Sequence, residues 1–104
     1  KMLMVTQVAK LYENGVNLIF RRKQPEPLQC GDWDIEALEA IVFLSVVKDR
    51  VERDITILHE FLHARRDVLG FRDLSEMEIE RQAELTYYRR PSILQFIKQL
   101  YGIK

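Results

Sequence analysis

Residues 2 to 13 place Met4, Val5, Val8, Leu11 and Tyr12 at helical spacing before an Asn14-Gly15 stop, so the chain opens with an amphipathic helix. The period then shortens. Val16, Leu18 and Phe20 alternate with Asn17, Ile19 and Arg21, the two-residue repeat of a strand with one buried face. Gln24-Pro25-Glu26-Pro27 reads as a loop. Trp33, Ile35 and Ala37 alternate with Asp32, Asp34 and Glu36 and predict a second strand, and the apolar run Ile41-Val42-Phe43-Leu44 suits a third. Residues 35 to 47 are also rich in Leu, Ala and Glu, so periodicity alone supports a buried helix there. The β-branched and aromatic content of residues 41 to 47 favours strand.

The second half of the chain reads as helix throughout. Asp49 followed by Glu52 resembles a capping box, and the helix it opens runs to about Leu69, where Gly70 offers a left-handed cap. Ile55, Leu58 and Leu62 form one apolar stripe and Ile57, Phe61, Ala64 and Val68 another, the mark of a largely buried central helix. Ser75 with Glu78 repeats the capping pattern and opens a further helix, which Pro91 ends near Arg89 or Arg90. Pro91 then suits the first turn of a last helix carrying Ile93, Leu94, Ile97, Leu100 and Tyr101 on one stripe. Together these elements give one α+β domain over residues 1–104.

Composition narrows the classes of function. With 47% hydrophobic and 31% charged residues the chain falls among ordinary globular proteins, and its 16 basic and 16 acidic residues cancel. That balance argues against a non-specific nucleic-acid or membrane-surface binder. No apolar run approaches the length of a spanning helix and no secretory-signal pattern is visible, so the expectation is a soluble cytoplasmic protein. A lone cysteine, Cys30, agrees with a reducing compartment, as an ordinary thiol in a loop or, less simply, as a ligand that keeps a metal site latent.

The chemistry concentrates at His59-Glu60-Phe61-Leu62-His63, which contains the only two histidines of the chain. The pattern H-E-x-x-H on a helix projects both imidazoles from one face towards one metal, with the intervening carboxylate directed at the open coordination position. A plainer reading is a helix whose exposed face merely carries two histidines and a glutamate. A catalytic zinc takes three protein ligands, so a third donor is needed. Glu80-Arg81-Gln82-Ala83-Glu84 on the next helix offers two carboxylates four residues apart, with Tyr87 and Tyr88 on the same broad face. Glu78 is explained as the capping partner of Ser75, and Glu76 as a favourable first-turn charge.

With these residues in place, the sequence resembles the gluzincin clan of metallopeptidases, where H-E-x-x-H is followed by a glutamate ligand on a separate helix, commonly within E-x-x-A-D. Here Glu84 stands where that pattern has aspartate. The short chain resembles the minigluzincins in particular, minimal counterparts of membrane-embedded metallopeptidase catalytic domains. The resemblance implies a zincin-like scaffold of N-terminal helix, small three-stranded sheet, active-site helix, glutamate helix and C-terminal helical tail. It further implies that His59, His63 and Glu80 bind Zn²⁺, that Glu84 hydrogen-bonds a ligating imidazole, that Glu60 is general base and acid, and that Tyr87 or Tyr88 stabilises the oxyanion. Ala40 to Leu44 would be the rim strand that pairs with a peptide substrate. Residues 91–104 would be a regulatory tail able to block the cleft, or else a plain core helix, and self-association is a second route to latency. Two rivals stand beside the peptidase: a catalytically idle scaffold or interaction module, and a regulatory protein that cuts one repressor or binds nucleic acid. No helix-turn-helix segment supports the last.

Overall fold

Four helices and a small mixed sheet follow one another as α1 (Val5–Glu13), β1 (Asn17–Arg21), β2 (Gly31–Asp34), β3 (Glu39–Phe43), α2 (Arg50–Leu69), α3 (Glu76–Arg89) and α4 (Pro91–Tyr101). The computed structural model describes residues 2–23, 28–72 and 74–104. The Gln24-Pro25-Glu26-Pro27 loop expected from sequence lies outside them. The α+β architecture and its order of elements match the expectation. The first helix starts later than expected: Leu3 is fully buried, and Met4 is extended at φ −121, its N–H donating to Gln7 Oε1 at 3.0 Å. Gly15, at φ +90, then turns the chain into β1 as the Asn-Gly stop requires.

The sheet departs more from the pattern. The alternation through Ala37 predicts a longer second strand, yet β2 stops at Asp34, because the Asp34 carboxylate accepts the Glu36 and Ala37 N–H groups at 3.1 and 3.0 Å. That local turn competes with strand continuation, and Leu38 completes it at φ 56. β3 follows as a strand, so the helical alternative for residues 35 to 47 is not formed. It is the central strand, parallel to β1 and antiparallel to β2 in the order β1-β3-β2. The expected rim strand is therefore in the middle of the sheet with both edges paired, and among the described residues the outer edges of the sheet belong to β1 and β2.

α2 runs from Asp49, whose carboxylate accepts the Glu52 N–H at 2.8 Å, to Gly70 at φ +80. Glu52 turns back to the Lys48 N–H at 2.6 Å rather than to that of the cap. The Ser75–Glu78 capping box closes in both directions at 3.3 Å. Ile57, Leu58, Phe61 and Leu62 of α2 meet Val8 and Leu11 of α1, Ala40 and Val42 of β3, Ile79 and Ala83 of α3, and Ile97 of α4 in one core.

α4 belongs to that core. Ile93, Leu94 and Ile97 are buried, Tyr101 OH donates to Val16 O at 2.6 Å, and Lys98 Nζ donates to Asp54 Oδ2 at 3.0 Å. Arg53 holds the other Asp54 oxygen at 3.1 and 3.0 Å. The last helix thus packs into the core. Among the described residues no helix is long and apolar enough to cross a membrane.

Removing the amine from the buried Asp54–Lys98 pair leaves a carboxylate at 3% exposure with Arg53 as its remaining partner. Lys98→Met should lower unfolding free energy by about 2–3 kcal/mol in urea titrations, and an unchanged midpoint would contradict this anchoring role.

Candidate metal centre

α2 carries His59 and His63 one turn apart, and its apolar stripes fix the helix so firmly that this polar strip has one place to point. His59 Nε2 and His63 Nε2 lie 3.2 Å apart. Two nitrogens bound at 2.0–2.1 Å to one tetrahedral ion are separated by about 3.3 Å, so the pair is already spaced as ligands. Glu60 offers a carboxylate oxygen to the same group, and the three ligand atoms all lie within 4.8 Å of one another. Burial holds both imidazoles below their ordinary pKa, against the opposing charge of Glu76 on both and of Glu80 on His59. Neutral imidazole is the form that binds a metal.

Glu60 is buried against the edge strand. Its Oε2 would lie 2.8 Å from a Cβ at Gly31, and Thr56 Cγ2 would lie 2.6 Å from it, so only glycine leaves room for the carboxylate there. Burial first, then the charges of Asp32 and Glu76, push its pKa up to about 8. Among the described residues the charges that act on it are those of Asp32 and Glu76, both acidic. A buried carboxylate surrounded by other carboxylates is what a cation would relieve, and with two neutral imidazoles beside it the donor set suits a divalent ion.

A cleft of about 550 Å³ opens beside His59 and Glu60, walled by Gly31 and Cys30 on one side, Ile55 and Thr56 of α2 at the base, and Glu80 and Glu84 of α3 opposite. Glu80 and Glu84 therefore line the cleft. Glu80 acts on His59 through its charge, whereas Glu84 stands one turn further along the cleft. Tyr87 and Tyr88 are not brought into the lining: Tyr87 packs against the core, Tyr88 is 68% exposed, and their rings stack edge to face at 4.9 Å. Cys30 lines the cleft, and burial, followed by the charge of Glu52, raises its thiol pKa.

One acidic residue was given a different role by the sequence. Glu76, read as a helix-terminus charge, brings Oε1 to 3.2 Å from His63 Nε2 and Oε2 to 3.4 Å from Arg66. Its position four residues before Glu80, on the same face of α3, was the available signal. Trp33 was also read only as a strand residue, yet its indole donates to Asp67 Oδ2 at 2.9 Å and ties β2 to α2 next to the site.

No protein-family model matches the chain, and no similar curated protein or solved structure was found. The site rests on its own geometry: His59, Glu60 and His63 form a group that could hold a metal ion.

The raised pKa of Glu60 carries a stability signature. Below the unfolded value of 4.5 the carboxyl is protonated in both states and costs nothing; between there and about 8 the unfolded chain ionises while the folded one resists, so stability falls. In chelator-treated protein, Glu60→Gln should be more stable than the parent by a few kcal/mol at pH 8, with the difference vanishing near pH 4. A difference independent of pH would contradict the assignment.

Proposed function

We propose that this protein is a zinc-dependent endopeptidase of the minigluzincin kind. The observation that carries the reading is the 3.2 Å convergence of the His59 and His63 nitrogens beside the buried Glu60 carboxylate, in a cleft next to a free strand edge. His59 and His63 would hold Zn²⁺, with Glu80 of α3 as the third ligand. Bound zinc would supply a Lewis acid for the scissile carbonyl and make a water molecule acidic near neutral pH.

The remaining steps belong to the chain. Glu60 accepts the proton of the attacking water and returns it to the leaving amine, and burial keeps its proton affinity high enough for both transfers. β2 presents its unpaired edge beside Gly31, so an extended peptide can add as a further strand and lie across Glu60. Glu84 contributes negative charge to the far wall of the cleft. The tyrosines stand off the lining and receive no oxyanion role in this scheme.

Glu60→Gln should reduce cleavage of an unfolded protein substrate by roughly 10²-fold or more while leaving zinc content unchanged, since the residue moves protons and the imidazoles hold the ion. Equal cleavage by the variant would remove Glu60 from the mechanism. Metal analysis should find one zinc per chain, bound more weakly in both His59→Ala and Glu80→Ala; unchanged affinity without Glu80 would exclude it as third ligand.

A further inference from the structure

The contact between Glu76 and His63 is not explained by a peptidase site open for turnover. His63 Nε2 has two neighbours at the same distance: His59 Nε2 at 3.2 Å and Glu76 Oε1 at 3.2 Å. Both separations match the roughly 3.3 Å expected of two donors sharing one tetrahedral ion. Glu76 comes from the first turn of α3, and its side chain is 67% exposed.

Its carboxylate is held from behind. Arg66 donates to Glu76 Oε2 at 3.4 Å, and the same guanidinium is fixed through Nε by Asp67 Oδ1 at 3.0 Å. Asp67 in turn accepts the Trp33 indole N–H from the edge strand at 2.9 Å. The chain of contacts runs from β2 through Asp67 and Arg66 to Glu76 and so to His63. An exposed glutamate rarely gains much from one surface ion pair, but a bound ion would give this arrangement a common target.

We propose that Glu76 is a fourth protein ligand of the metal centre, taking the position that water or a substrate carbonyl needs, so that the site is self-inhibited by its own glutamate helix. The proposal rests on the metal-centre reading above. With His59, His63 and Glu80 it makes four protein donors, the closed arrangement of structural sites; catalytic sites keep one position open. Opening then requires only that Arg66 release an exposed side chain. Latency on this account comes from α3 and not from the tail.

The test uses cobalt as a visible probe. Chelator-treated parent, Glu76→Ala and Arg66→Gln proteins are titrated with Co²⁺, and azide is added to each loaded protein. The parent should bind one cobalt with visible bands that azide leaves unmoved. Glu76→Ala should bind one cobalt about 10-fold or more weakly, with bands that shift on adding azide, and Arg66→Gln should show a partial shift. An equal azide response in parent and Glu76→Ala, or none in either, would overturn the role of Glu76 while leaving the metal centre standing. An unresponsive Arg66→Gln would overturn the clamp. Failure of the folded parent to bind cobalt would overturn both the inference and the reading beneath it.

Discussion

A helix buried on several sides has little freedom to rotate, and the candidate site depends on that constraint. Leu58, Phe61 and Leu62 lock α2 into the core shared by α1, the sheet, α3 and α4, so the strip carrying His59, Glu60 and His63 is left facing the crevice between β2 and α3. Helical geometry brings the two imidazoles to one side, and the packing decides which side. The buried Asp54–Lys98 pair extends this fixation to the last helix, 44 residues on in sequence. The charged strip is therefore held by apolar contacts made elsewhere on the same helix.

The same burial sets the protonation of the site. Desolvation lowers the basicity of both histidines and raises that of Glu60, so imidazoles are offered neutral and the carboxyl keeps its proton towards neutral pH. Glu60 owes its depth to Gly31: the edge strand comes close enough for a carboxylate to pack where any other residue would place a Cβ. Strand edge and buried carboxyl are thus one piece of construction.

Much of this was legible in the sequence where local physics decides. The caps at Asp49, Ser75 and Gly70, the proline opening α4, and the histidine spacing all depend on residues within a turn of one another, and each appears where the pattern placed it. Errors arose where distant segments compete. The alternation through Ala37 looked like strand until the Asp34 carboxylate captured two backbone N–H groups, and the stretch Ala40 to Leu44, expected from the resemblance to be a rim strand, supplies the central strand instead. Within the site, a one-turn ambiguity on α3 hid Glu76, since Glu76, Glu80 and Glu84 share a face and spacing alone does not rank them. Tyr87 and Tyr88 share that broad face too, but lie beyond the reach of the cleft.

The central claim is that the two imidazoles of α2 bind a metal through nitrogen, with carboxylate oxygen completing the set. X-ray absorption at the zinc edge of the loaded protein tests it most directly. The account predicts stoichiometric zinc with nitrogen and oxygen neighbours at about 2.0–2.1 Å and the outer scattering of two imidazoles. A sulfur neighbour at about 2.3 Å, which would have to come from Cys30, or the absence of stoichiometric zinc, would contradict it.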